Sequence, residues 1–418
     1  LRRRIWRLLM RNVFALTVCL LCTSLPLQVH GETKALVRTS FVAKDDSRSF
    51  QQMGAGHQRY ESNGIQLSHA VVIADFMLAD SWSAVGVING YSDGEQKVGF
   101  SELYLKYRPL VASSIKPEVK IGAFFPALSA ENTDAGWLSP HFLSNSAINS
   151  WVGEELRTGG IEVSLRQNGR QIRSHWSWKV LGSVFKGNDS TGTLLSWRGF
   201  ALHDRQSVYN DRVNFLPIPG VVDEDKLNAP AWTEPFREID NRFGYYVGVH
   251  LAYARKAELR YYYYDNNADP NIVDPDRIYA WHTRFHSLTL RYLPRPELTV
   301  FSQVLLGDTL MGEHIVDNDF SSAYIGAAYN LKQLGWEDLT LAMRGDWYQV
   351  VDNDDVMYDP NGSRGNAFTV SVRYDITSYL SVSTEWQLNS GHQENLRFFQ
   401  SDEDYREQLF QLAFTVTL

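Results

Sequence analysis

Three groupings of side chains in this 418-residue chain could do chemistry. His282, His286 and Ser287 share one run and Asn389-Ser390-Gly391-His392 forms another, and acyl transfer needs a nucleophile and a base side by side. In an extended strand, however, residues 286 and 287 point to opposite faces. Asn, Ser and Gly ahead of His392 are ordinary turn residues at a loop entrance. A second grouping is acidic, around Asp265-Asn266-Asn267-Ala268-Asp269-Pro270 and Asp352-Asn353-Asp354-Asp355. Such carboxylates can hold calcium, but neither spacing fits a helix-loop-helix calcium site. They read as solvated loop acids, bridged by divalent ions to lipopolysaccharide, and no resident metal or cofactor is expected. The third grouping is the most extensive: Glu102, Lys106, Lys120, Glu162, Arg166, Lys179, His250, Glu258, Arg260, Gln303, Arg344, Asp346, Arg373 and Glu385 alternate with apolar neighbours along the chain.

That alternation has the period of a β-strand. Val119, Ile121 and Ala123, then Tyr245, Val247, Val249, Leu251 and Tyr253, then Phe368, Val370, Val372 and Tyr374 each form one apolar face. Such runs predict strands near 35–42, 65–76, 82–90, 98–107, 118–125, 159–166, 176–185, 244–254, 257–265, 280–292, 298–306, 321–330, 339–348, 367–375, 380–389 and 407–418. The gaps between them alternate. Connections such as 77–81, 255–256, 293–297 and 376–379 are short, whereas 126–158, 186–243, 349–366 and 390–406 are long. Short periplasmic turns and long external loops alternate in this way in transmembrane barrels. The run Thr193 to Leu202 would break that register as a strand, and is read as part of a folded external loop. The expected fold is all-β: a transmembrane antiparallel up-and-down β-barrel of about 16 strands. Charges at mid-membrane on the lipid side would cost roughly 2–4 kcal/mol each, so the charged series must face the lumen.

Both ends agree with export to an outer membrane. Arg2, Arg3, Arg4, Arg7 and Arg11 precede an apolar run from Val13 to Cys22 and the small-residue site Val29-His30-Gly31, the pattern of a cleaved signal peptide over 1–31. The barrel is then expected over 32–418 as one domain. Leu412, Phe414, Val416 and Leu418 share one face of a last strand, a signal that barrel-assembly machinery reads. Removing residues 1–31 leaves 35 basic and 48 acidic residues, a net charge of −13, which excludes a nucleic-acid surface. Both cysteines, Cys19 and Cys22, fall in the leader, so no disulfide framework holds the fold. The 21 Tyr and 12 Trp suit aromatic girdles at the two bilayer interfaces.

In organisation the chain resembles Gram-negative outer-membrane porins, most closely the group typified by phosphate-selective porins O and P. The local echoes are Glu102-Leu103-Tyr104-Leu105-Lys106-Tyr107-Arg108-Pro109, Gly122-Ala123-Phe124-Phe125-Pro126, and Ser302-Gln303-Val304-Leu305-Leu306-Gly307-Asp308-Thr309. The chain departs from the group in ending on Leu418 rather than Phe or Trp, and it offers no lysine cluster matching a phosphate site. The resemblance implies a water-filled channel for passive diffusion of small hydrophilic solutes or ions, narrowed by an inward third external loop. Here that loop is 126–158, with Glu131, Asp134, Glu154, Glu155 and Arg157. Glu154 and Glu155 are expected to face wall bases such as Arg344 and Arg373, with Lys106, Lys120, Arg166, Lys179 and Arg260 completing the basic wall. Many sixteen-strand porins are trimers, so a homotrimer is the expected assembly.

Two other functions fit parts of the chain. A receptor or sugar-guiding channel would use Tyr262 and Tyr264 of the Tyr261-Tyr262-Tyr263-Tyr264 run to stack on a sugar, with the aromatic loop 186–243 packing on itself or dipping into the pore. A barrel hydrolase would need the His and Ser residues above to meet at one lumen or rim position.

Overall fold

The computed structural model describes residues 31–313, 315–399 and 401–418. The expected leader falls on residues 1–30 and Gly31, so all but its last residue lies outside the described residues. Gly31 opens the first strand, paired to Phe76. Eighteen strands follow in chain order. The first seven are β1 (Gly31–Lys44), β2 (Gly64–Ala79), β3 (Trp82–Gly90), β4 (Val98–Tyr107), β5 (Ile115–Phe124), β6 (Thr158–Gln167) and β7 (Trp176–Lys186). A two-residue pair, β8 (Val213–Asn214) and β9 (Trp232–Thr233), lies within a loop. The remainder are β10 (Gly244–Tyr253), β11 (Ala257–Asp265), β12 (His282–Arg295), β13 (Leu298–Met311), β14 (Val316–Asn330), β15 (Leu339–Asp352), β16 (Ser363–Asp375), β17 (Leu380–Gln393) and β18 (Asp404–Thr417).

All but β8 and β9 join one closed antiparallel barrel, each strand paired to its chain neighbours, with β1 sealing against β18 from Leu36↔Thr417 to Lys44↔Leu409. Closure leaves no unpaired edge, so the backbone groups of the wall bond to one another in a setting where lipid offers them nothing. The sixteen expected strands are the sixteen found, and the run Thr193–Leu202 lies in a loop as expected. The boundaries moved at both ends of the barrel: on the short-turn side β1 begins at Gly31, β2 ends at Ala79, β5 begins at Ile115 and β12 ends at Arg295, and the external ends of the later strands moved as well. β13, β15 and β17 run on to Met311, Asp352 and Gln393, and β14, β16 and β18 begin at Val316, Ser363 and Asp404. The extra residues are largely Asp, Asn, Ser, Gly, His and Gln. Above the hydrocarbon they need no apolar face, so period two fades while the hydrogen-bond ladder continues.

Face assignment follows burial. Leu251, Phe368 and Phe414 are exposed on the outside of the wall, while Gln303, Arg344, Thr369, Glu385 and Ala413 are buried within. Phe414 pairs across with Thr39 and Val382 at the sealing strand. Replacing Phe414 with Asp puts a carboxylate on the lipid face at a cost of roughly 2–4 kcal/mol. The expected result is failed membrane insertion, read as loss of the heat-modifiable band on gels. Normal insertion of this variant would mean that the face does not meet lipid.

Candidate functional site: the occupied lumen

The lumen is filled from two external loops. The first, 125–157, carries helix α1 (Ala147–Glu155), which starts where the Ser146 hydroxyl accepts from the Asn149 N–H and stops at Leu156, whose backbone is extended. Every residue of α1 is buried within the barrel. Trp151 packs against Phe285 and Phe320 of the wall, each 5.5 Å away between ring centroids. Ile148, Val152 and Leu156 join wall residues Phe301, Leu181 and Tyr246 in one apolar core inside the barrel.

Polar contacts fix the rest of this loop to the wall. Arg344 of β15 is fully buried, with Nη1 2.6 Å from Glu131 and Nε 2.9 Å from Asp346. It also donates to the carbonyls of Ser144 and Asn145 at 3.0 and 2.9 Å. Asp346 accepts from the Ala147 N–H at 3.1 Å, and Glu385 of β17 from Leu143 N–H at 2.6 Å. On the far side, Arg260 donates to the carbonyls of Ala127 and Ser129, and Thr289 to that of Leu128. These wall residues sit on β11, β12, β15 and β17, an arc away from the loop's own stems at β5 and β6, so the loop reaches across the lumen to be held.

The second loop, 187–243, enters beside it. Its short helix α2 (Thr193–Trp197) follows Gly192, whose φ of +110° and packing against Thr283 and Thr309 exclude any side chain. The two loops lock through adjacent carboxylates. Glu155 accepts from the N–H groups of Gly192 and Leu194 at 3.0 and 2.8 Å and from the Trp151 indole at 2.6 Å. Burial pushes its carboxyl up to about 7, against the pull of these donors. Burial also works to raise Glu154, but the guanidinium of Arg198 and the ring of His203, at 2.6 and 3.0 Å, outweigh it and hold the group at about 2. Beyond α2, Asp204 reaches the opposite wall, pairing with Arg38 of β1 at 3.2 Å and with Arg59. Above this contact, β8, β9 and the turn at Pro219–Val222 bury Phe215, Ile218 and Val221 with Trp197 and Trp281 as an outer cap.

The sequence-predicted residues divide into several environments. Glu131 and Arg344 meet, as an ion pair. Glu154 and Glu155 do not face Arg344 or Arg373: the length of α1, more than two turns, separates them from the Ser144 and Asn145 carbonyls that meet Arg344, and apart from the Trp151 indole their side-chain partners come from the second loop. Arg373 pairs with Asp375 at 2.8 Å and donates to the Pro140 carbonyl. Asp134 is exposed in a turn, its carboxylate accepting from the Ala135 N–H. Arg157 forms no ion pair among the described residues; its guanidinium lies 3.4 Å from the Phe125 ring centroid and donates to carbonyls of Val152, Gly153, Leu156 and Ser207. Burial lowers it to about 9. Lys106 pairs with Asp75 at 2.6 Å, while Lys120 and Lys179 share Glu162 at 3.6 and 3.7 Å. Arg260 pairs with Glu258 at 2.7 Å, and Arg166 stands exposed near the short-turn end.

Sequence reasoning missed Arg38, Arg198, Asp204, Arg59 and Asp93, the last two paired at 2.8 Å. Arg38 was legible, as a charge at an inward position of the first strand; the others lie in loops, where no periodicity marks direction. The hydrolase constellations do not assemble. His286 lies outside, bonded to the Tyr261 hydroxyl at 2.8 Å, whereas Ser287 lies inside, accepting from Gln303. His392 is tied to Asp404 and Glu403, and His282 to Asp265. Tyr262 and Tyr264 point inward as expected but are committed to packing, with hydroxyls bonded to His250 and Asn188.

Residues 228–418 match the model of a family described as putative beta-barrel porin-2, OmpL-like. No curated protein matches the chain. Among solved structures, the outer-membrane channel DcaP of Acinetobacter baumannii is similar with a TM-score of 0.54 at 10% identity, covering 93% of this chain and 97% of that one. A loop-deletion mutant of OmpT, an outer-membrane protein of Vibrio cholerae, gives 0.52 at 10% identity over 93% and 99%. The anion-selective porin from Comamonas acidovorans gives 0.50 at 9% over 94% and 100%. Wall, loops and likenesses agree on the fold: the chain forms a closed sixteen-strand β-barrel like those of outer-membrane porins, and over residues 228–418 it is similar to the OmpL-like porin family.

Proposed function

We propose that the barrel passes small hydrophilic solutes passively and that loops 125–157 and 187–243 together set the route. The observation that carries the reading is α1 inside a closed sixteen-strand wall, with its loop anchored by charged and hydrogen-bonding wall residues beside its apolar contacts. Such anchors exchange for water when a loop shifts, whereas a sixteen-strand lumen freed of inward loops is wide enough for an aqueous channel. The constriction is thus a two-loop device, with Glu131 and Arg344 at its centre. Assembly as a homotrimer belongs to the same reading, supported by the trimer form recorded for the OmpT likeness. So does export with a leader removed after Gly31, which intact-mass measurement checks. The likeness to phosphate-selective porins O and P stays at the level of organisation.

Planar-bilayer recording with a salt gradient tests the reading. Deleting residues 131–150 removes Glu131 and the first turn of α1 and is expected to raise single-channel conductance while reducing ion selectivity. A deletion variant that inserts normally yet conducts like the parent would refute the constriction role.

A further inference from the structure

At the short-turn end of the lumen, on the periplasmic side of the two loops, lies a cavity of about 760 Å³. Its charged and titratable lining is Arg108, Lys116, Arg166, Lys179 and His250, with no carboxylate among the residues that line it. Four of these form an unbroken row. Lys116 stands opposite Arg166, Arg166 opposite Lys179, and Lys179 opposite His250, across β5, β6, β7 and β10. Each is on the inward face, in step with the buried Glu118, Ser164, Leu181 and Tyr246 of the same strands.

Like charges set directly opposite one another across a ladder are destabilising. The wall nonetheless places three basic side chains, Lys116, Arg166 and Lys179, in succession here. Neutralisation from the protein is partial. Glu118 engages Arg108, and Glu162 lies 3.7 Å from Lys179 but serves Lys120 as well. Glu258, one strand further on, is held at 2.7 Å by Arg260 and lies 4.0 Å from His250. Lys116 donates only to the Val111 carbonyl, and Arg166 makes no side-chain hydrogen bond or ion pair among the described residues. An exposed guanidinium between two ammonium groups at the wall of a cavity presents the fork and point-charge donors that suit anionic groups.

We propose that this row binds a small oligoanion, a molecule with two or three phosphate or carboxylate groups spaced to meet successive strands. Adjacent strands lie roughly 4.8 Å apart, so the three cations span about 10 Å, more than a single orthophosphate or chloride can bridge. The site is separate from the loop anchors and does not depend on whether the loops open.

Isothermal titration of the purified barrel in detergent, with tripolyphosphate, citrate, orthophosphate and chloride as probes, tests it. Tripolyphosphate or citrate is expected to bind with an affinity that falls steeply as salt is added. Each of Arg166→Ala and Lys116→Ala is expected to weaken binding about 10-fold, the loss of one charge-assisted contact. Arg166 is exposed, so its replacement leaves the barrel intact, and retained heat-modifiability verifies that. Arg364→Ala, on the outer face, serves as the control and is expected to change nothing. Preference between tripolyphosphate and citrate decides between phosphate and carboxylate groups. Absence of binding by both, orthophosphate binding as tightly as either, or unchanged affinity in Arg166→Ala would each overturn the proposal.

Discussion

Replacing Arg344 with leucine is expected to unseat loop 125–157 while leaving the barrel closed. The guanidinium is the counter-charge for Glu131 and Asp346, both fully buried, and it caps the Ser144 and Asn145 carbonyls. Removing one partner of a buried ion pair costs about 3–5 kcal/mol, because the remaining charges stay desolvated without compensation. The barrel wall retains its ladder on both sides of β15, from Asn318↔Asp352 to Leu339↔Tyr374, so the strain is relieved at the loop. Leucine also removes the donors to the Ser144 and Asn145 carbonyls that hold the chain leading into α1. Single-channel conductance should therefore rise well above the parent, with insertion and heat-modifiable migration unchanged. Adding Glu131→Gln is expected to return part of the closed behaviour, since it removes one of the stranded charges, and the pair should be strongly non-additive. Parental conductance in Arg344→Leu would show that the loop is held by its apolar core alone.

The second large effect is a pH dependence of loop docking that runs opposite to the usual behaviour of carboxylates. Glu155 has an ordinary value of 4.5 when the loops separate and about 7 when they are locked. The locked state thus binds the extra proton, and its advantage is complete below 4.5 and lost as pH rises through 7. A displacement of that size corresponds to about 3 kcal/mol of docking free energy between the two limits. Asp359, which accepts from the Trp197 indole at 3.1 Å and is likewise pushed up to about 7 by burial, acts in the same direction. Glu154 acts in reverse: held at about 2, it supports docking above 4.5 and withdraws support only as pH falls toward 2. Docking is accordingly strongest near pH 4–5 and weakens through neutrality. Hydrogen exchange across residues 147–155 between pH 5 and 8.5, corrected for intrinsic rates, should show protection falling with pH, and Glu155→Gln should flatten the fall. Protection that rises with pH would reverse the assignment.

The sequence by itself determined the wall. Period-two alternation in segments such as Tyr245–Tyr253 and Phe368–Tyr374 is enforced residue by residue, because lipid rejects charge at every outward position and the lumen tolerates it. The count of strands, the inward direction of Arg260, Arg344 and Glu385, and the split of Tyr262 from Tyr263 all follow from that local rule. What fills the wall was decided only in the tertiary structure. Which base meets Glu154 depends on where a second loop about forty residues further along enters the lumen, and α1 turns those carboxylates away from the β15 arginine that pattern alone would pair with them. Loop direction has no period to read. Burial of Glu155 against three N–H donors, the reach of Asp204 to Arg38 and Arg59, and the packing of Trp151 between Phe285 and Phe320 come from contacts between residues distant in the chain, set by the shape of a lumen that exists only once the sheet has closed.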